Sequence, residues 1–195
     1  MFEPLVLEDD ELQLAISLPD LISVESGQLI SPSQLTETTL STCSYDALFV
    51  SGLLPEQRDE LSHLCAAKHI ELVVFDNPSN NAAAIQDVVV NLSDKLFSDE
   101  MPNNVDLADI RNLNQSSDYL FAFSNKTAAV DFMETQSIGV VVGGIYLAHA
   151  QTDLSEYEAT NKALLHHFSE YAFLCSSFHS AGRSECTILL GVKED

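Results

Sequence analysis

Asn104, Asp106 and Asp109, within "NNVDLADIRN" at residues 103–112, are the residues whose types and spacing invite chemistry. Two carboxylates three positions apart behind an amide can start a helix, hold a cation, or polarise an attacking water as a general base. Because "LADIRNL" follows directly, Asp106 is a natural cap for that helix. The remaining chemistry-bearing residues are thinly spread. Cys43, Cys65, Cys175 and Cys186 show no CxxC spacing, and three of them lie in apolar runs, as reduced buried thiols of a cytosolic protein do. Cys65 and His69 have helical i,i+4 spacing and could share a metal, but no second pair lies near them. His166 and His167 come late in a helical stretch, where they meet the helix dipole or solvent. There is no GxSxG, no Cys/His constellation and no GxxxxGK[ST] run, so the chain is not expected to be an enzyme, and neither a cofactor nor a metal is expected.

The 195 residues suffice for one large domain or two small ones sharing a core. With 46% hydrophobic and 19% charged residues the composition is globular. The net charge of −22, with only 8 Lys and Arg, argues against nucleic-acid binding, which needs basic contacts to phosphate. Such acidity keeps a surface solvated, can match a basic partner, or could imitate DNA. The longest apolar runs, such as residues 138–147, are too short to span a bilayer, so membrane insertion is not expected. Glu3, Glu8, Asp9, Asp10 and Glu11 stand where a leader would need basic residues, so a cytoplasmic location is expected.

The elements that must position these residues read as follows. Residues 5–40 carry a weak pattern of short strands and turns, punctuated by Pro19, Gly27 and Pro32. "DALFVSGL" is a buried strand, Pro55 opens a helix with Leu61, Leu64 and Cys65 on one face, and "ELVVFD" is a second buried strand. This spacing implies a parallel βαβ unit. Residues 81–97 form a long helix whose stripe of Ile85, Val88, Val89, Leu92 and Leu96 must be buried. "SDYLFAFS" is a strand, "KTAAVDFMET" a helix, and "IGVVVGGIYLA" a strand in which Gly143 and Gly144 mark a bulge or a close approach. The helix "DLSEYEATNKALLHHFSE" should turn Leu154, Tyr157, Leu164, Leu165 and Phe168 inward. "YAFLCSSF" and "ECTILLGV" are two last strands joined by "HSAGRS". The fold class is therefore α/β, with a parallel N-terminal half (1–80), a central helix (81–97) and a smaller α/β half (98–195).

The order of these pieces resembles FtsZ, the bacterial tubulin homologue. "NAAAIQDVVVNLSDKLF", "SDEMPN" and "NVDLADIRNL" resemble its core helix and synergy loop, whose N-x-D-x-x-D pattern is matched by Asn104, Asp106 and Asp109. The likeness covers about residues 45–192, and a truncated FtsZ/tubulin-like fold is what it implies. The departures are equally plain. Where the family has a glycine-rich GGGTGTG loop, this chain has "SGLLPEQRDE", with one glycine, a proline that cannot donate, and Glu56, Asp59 and Glu60. Against the family's pattern the first glycine-rich loop is missing, as are the elements between the second βαβ strand and the core helix, and "GVKED" stands where the family continues into its tail peptide.

By resemblance, Asp106 and Asp109 would enter a neighbouring subunit's nucleotide pocket and polarise water there, with Asn104 fixing the loop. Asp153, Glu156 and Glu158 would lie on a partner-facing helix. The implied protein docks on FtsZ or an FtsZ-like partner, binds no nucleotide itself, and caps or modulates filaments in cell division. The alternatives are a protein that self-associates into filaments without nucleotide, or a small-molecule sensor using "VVVGGIYL" as a ligand loop.

Overall fold

The computed structural model describes residues 11–194. The acidic stretch 1–10, read above for the absence of a leader, lies outside them. In chain order the elements are β1 (Leu14–Ser17), β2 (Gln28–Leu29), a 3-10 turn (Pro32–Gln34), α1 (Glu37–Leu40), β3 (Ala47–Val50), α2 (Pro55–Lys68), β4 (Glu71–Asp76) and α3 (Ala82–Leu96). Then come α4 (Leu107–Ser116), β5 (Tyr119–Phe123), α5 (Lys126–Thr135), β6 (Gly139–His149), α6 (Leu154–Leu165), β7 (Phe173–His179) and β8 (Cys186–Glu194). The class is α/β, with a sheet of 8 strands in the order β2-β1-β3-β4-β5-β8-β6-β7.

β2 through β5 run parallel, and the βαβ unit read around Pro55 is β3-α2-β4. Pro55 sits at the first helical position, where its missing N–H costs nothing, and His69 ends the helix in the left-handed region at φ 59°. β8 is antiparallel to both β5 and β6, whereas β7 is parallel to β6. The two last strands are therefore not partners: β6 separates them, because α6 returns the chain parallel to β6 and β8 then inserts on β6's other side.

Alternation along the strands feeds two faces. On one, α3 and α4 bury Val88, Val89, Leu92, Ile110 and Leu113 against Phe49, Phe75, Leu120 and Leu189. On the other, α2 covers Leu48 and Val50, while α5 and α6 cover Phe121, Ile188 and Leu190. The single sheet runs through both expected halves, and α3 lies on one face at their join, against β4, β5 and β8. Asn81 starts α3 by accepting from the Ala84 N–H at 3.1 Å.

Two expectations fail in detail. Leu154 and Leu165 of α6 point outward, 66% and 49% exposed. Tyr157, Thr160 and Leu164 form the sheet-facing stripe, and the two leucines each lie roughly a quarter turn off it. "VVVGGIYL" is the interior of β6 and not a ligand loop. Its register shifts between Val141 and Gly143, and a Cβ on Gly143 would come within 2.9 Å of the Leu113 side chain of α4. Among the described residues no helix is long and apolar enough to cross a membrane.

Candidate functional site

The segment between α3 and α4 carries the predicted site and is held from beneath. Lys95, in the last turn of α3, is buried, and its ammonium donates to the carbonyls of Glu100 at 2.8 Å and Pro102 at 3.0 Å. Burial lowers its pKa, and the nearby Glu100 carboxylate opposes that shift. The Ser177 hydroxyl also donates to the Pro102 carbonyl, at 2.7 Å. The Glu100 carboxylate accepts from the Ser180 N–H at 3.0 and 2.9 Å. Burial pushes Glu100 up, but the Ser180 hydrogen bonds, Lys95 and His179 outweigh it and leave the carboxyl below its ordinary value. Val105 plugs into the core. Above these anchors, Met101, Pro102, Asn103 and Asn104 are exposed, Met101 at 78%.

The three predicted loop residues come together at the start of α4. Asp106 Oδ1 accepts from the Asp109 N–H at 3.1 Å, and Asp109 Oδ2 accepts from the Asp106 N–H at 3.0 Å. This is a reciprocal capping box, so the structural role foreseen for Asp106 is present and Asp109 shares it. The other Asp109 oxygen accepts from the Cys175 thiol at 3.2 Å. Burial first, then the Asp109 carboxylate, push that thiol up to about 12, so it stays protonated and donates. Asn104 donates to the Ser176 carbonyl of β7 at 2.8 Å.

β7 is an edge strand, so that carbonyl would otherwise be open to pairing with another chain. On the sheet's other face, Tyr157 of α6 meets the Ser176 hydroxyl at 2.7 Å. Asp153 caps α6 by accepting from the Glu156 N–H at 2.8 Å, and Asp153, Glu156 and Glu158 are all exposed. The loop and the first turn of α6 thus flank the middle of β7 from opposite faces, linked through Ser176. Glu158 faces solvent away from that link.

Beneath the loop lies a polar group that the sequence did not announce. His149 and His179 are register partners at the ends of β6 and β7, with ring centroids 6.2 Å apart. His149 Nδ1–H donates to the Ser184 carbonyl at 2.6 Å, which leaves Nε2 to accept from the Thr187 hydroxyl at 3.1 Å. Thr187 in turn accepts from Asn91 at 3.0 Å, and Asn91 accepts from the Arg183 N–H at 3.1 Å. His179 is 3% exposed, lies 3.7 Å from a Glu100 oxygen, and has no hydrogen-bond partner on either nitrogen among the described residues. Burial lowers both histidines' pKa values. The one signal available in sequence was a histidine closing each of two apolar strands. Among the described residues no three His, Cys, Asp or Glu side chains gather as a metal-ion site, around Cys65 and His69 or elsewhere.

The junction 51–60 stands at the carboxyl ends of β1 and β3. Pro55 offers no N–H, and Glu56, Asp59 and Glu60 are exposed on the first turns of α2. A phosphate there would meet negative charge, in keeping with the reading of "SGLLPEQRDE".

No protein-family model matches the chain, and no curated protein matches it. Among solved structures, the chain is similar to CetZ from Methanosaeta thermophila, a tubulin/FtsZ-like protein, at 10% identity and a TM-score of 0.41. That alignment covers 93% of this chain and 61% of CetZ, so the chain spans less than two thirds of that protein. It is also similar to the dihydroxyacetone kinase operon co-activator Dha-DhaQ, at 8% identity and a TM-score of 0.33, over 94% of this chain and 83% of the other. Both likenesses are distant, and the α/β class rests on the sheet itself.

Proposed function

We propose that this is an interaction protein that docks on a filament-forming partner of the FtsZ class through residues 97–106 and the first turn of α6, and caps or modulates that filament. One observation carries the reading: the loop is fixed from below by Lys95, Ser177, Asn104 and the Asp106–Asp109 box, yet exposed above. A loop already held in one shape loses little freedom when a partner covers it. Binding residues are commonly presented in this way, on loops positioned by a rigid scaffold. The partner's class is supported by the N-x-D-x-x-D pattern at Asn104, Asp106 and Asp109 and by the ordered elements around it. In this reading Asp106 and Asp109 act on the partner's nucleotide in trans, and the protein turns nothing over itself. With the acidic, glycine-poor junction 51–60 the protein holds no nucleotide for the next subunit's loop to meet, and so acts as a terminal subunit.

The test is sedimentation of FtsZ with GTP in the presence of the protein, with GTP turnover followed in parallel. The protein should enter the pellet and change both the amount of pelleted FtsZ and its turnover. Sedimentation of the protein alone separates this from self-assembly without nucleotide. If neither FtsZ pelleting nor turnover changes at equimolar protein, the docking reading is wrong.

A further inference from the structure

At the carboxyl ends of β1 and β3 the chain parts to opposite faces of the sheet. After β1, Leu18, Leu21 and Val24 join the core on the α3 face, whereas after β3 Leu53 and α2 join the core on the other. In the order β2-β1-β3-β4-β5 this is the point where the strand sequence reverses, and open α/β sheets bind ligands in the crevice such a reversal creates. Here the crevice is a cavity of about 330 Å³, at the lower end of the range ordinary for small ligands. Gly52, at φ +69°, keeps its lip narrow, since a Cβ there would come within 2.8 Å of Pro19.

Its chemistry is specific. Ser17, which lines it, is 1% exposed, and its hydroxyl has no hydrogen-bond partner among the described residues. A buried hydroxyl without a partner costs free energy unless something supplies one. The charged side chains lining the cavity are Glu37 and Glu60, both carboxylates on its rim, and no Lys, Arg or His lines it among the described residues. Leu35, Leu53 and Leu61 supply apolar wall. An anion would be repelled. A bare metal ion would waste the apolar wall, and no aromatic ring is present to stack a nucleobase or cradle a quaternary ammonium. A primary ammonium on a short aliphatic chain fits each feature: three N–H donors for two carboxylates and a serine oxygen, and a tail for the leucines.

We propose that this crevice binds a short aliphatic primary amine, with Ser17, Glu37 and Glu60 receiving the ammonium. The site is separate from the docking loop, so either can fail without the other.

The experiment titrates the full chain with n-pentylamine, 1-pentanol and pentanoate at one pH, following leucine methyl resonances by NMR. Pentylamine should shift the Leu35, Leu53 and Leu61 methyls saturably, the alcohol should bind more weakly, and pentanoate should not bind. Glu60→Gln, an exposed change on α2, should weaken the amine about tenfold, as loss of one charged hydrogen bond does, with the melting temperature unchanged. Ser17→Ala should also weaken binding while leaving stability equal or higher, because the hydroxyl it removes has no protein partner. Should Ser17→Ala not fold, Glu60→Gln decides alone. Pentanoate or pentanol binding as tightly as pentylamine, shifts confined to residues outside the crevice, or a Glu60→Gln protein that binds pentylamine unchanged would each overturn the proposal.

Discussion

Ser17 and His149 both close strands, and both are almost wholly shielded from solvent, at 1% and 4% exposure. Their surroundings differ. Ser17 ends a parallel strand whose neighbours finish at the same edge, so the exits diverge and a crevice is left beside a hydroxyl with no protein partner. His149 ends a strand flanked on one side by antiparallel β8, whose incoming turn closes over it and supplies Ser184 and Thr187 as partners. Parallel ends leave concavity that a small molecule can fill. Antiparallel insertion fills the same space with the chain's own polar groups and yields a stiff platform on which a loop can be displayed. The two candidate functions, binding in the crevice and docking through the loop, follow from that one difference in strand direction.

The harshest way to break the contrast is to remove what both regions share. Val89 is fully buried in the α3 stripe, in the one core cluster that also holds Leu14 and Ile16 of β1, Phe49 of β3 and Leu120 of β5. Val89→Asp places an uncompensated charge there and should cost about 3–5 kcal/mol or more, enough to prevent folding. Circular dichroism and urea titration measure it, and a soluble variant with a normal unfolding transition would show that α3 is not the common floor.

Next comes a change that should strike the platform alone. Lys95→Met deletes the ammonium's hydrogen bonds to Glu100 and Pro102 while keeping an apolar stem of similar length. The expected cost is about 1–3 kcal/mol, the scale of hydrogen bonds to a charged donor. Hydrogen exchange should quicken across residues 98–106 and at Ser180, while β1 and β3 amides keep their protection. Equal loosening in both places would mean the two regions are one cooperative unit.

Acid offers a graded version of the same loss. Burial lowers His149 and His179 below their ordinary value of 6.5, so the unfolded chain takes up protons before the folded one. Their contribution is therefore complete above that pH and falls as pH drops below it. Glu100, Asp94 and Asp87 face the pair and soften the effect, while Lys95 sharpens it for His179. Because Glu100 is itself held low, its stabilising bonds persist until more acidic pH. Unfolding midpoints measured from pH 7 downwards should decline first through the histidines. A His149→Gln, His179→Gln protein should lose that first decline.

Much of this frame was legible in sequence. Pro55 and the two apolar runs around it gave the βαβ unit, the Ile85–Leu96 stripe gave α3, and Asp106 gave a cap, because each is a local signal. What stayed hidden is non-local. Nothing in "ECTILLGV" says that it slots between β5 and β6, since that choice depends on where α6 returns the chain. Lys95 reads as a surface lysine, and it is buried only because residues 100–102 fold back to give it carbonyls. His149 and His179 stand thirty positions apart, and only the β6–β7 register makes them neighbours.

A smaller effect is expected at the capping box. Asp106 and Asp109 cap one helix reciprocally, so removing both with alanine should cost about 1–2 kcal/mol, the value of one cap and not two. Thermal unfolding would check it, alongside the FtsZ pelleting and turnover assay. A folded double variant that acts on FtsZ as the unaltered protein does would reduce the two carboxylates to a cap.

The smallest expected change in stability is also the one that divides the loop's two possible duties. Asn104 is exposed and makes one hydrogen bond, to the Ser176 carbonyl on the outer edge of β7. In Asn104→Ala, water can reach that carbonyl, so stability should fall by no more than about 0.5 kcal/mol. If Asn104 serves to fix the loop for a partner, the variant should stay monomeric in sedimentation velocity and lose much of its effect on FtsZ. If it serves only to cover the edge of β7, the outcome reverses: FtsZ is affected as before, and the bared edge pairs with a second copy, raising the sedimentation coefficient with concentration. The two results differ in kind, so a single substitution with almost no energetic cost distinguishes a docking loop from an edge guard.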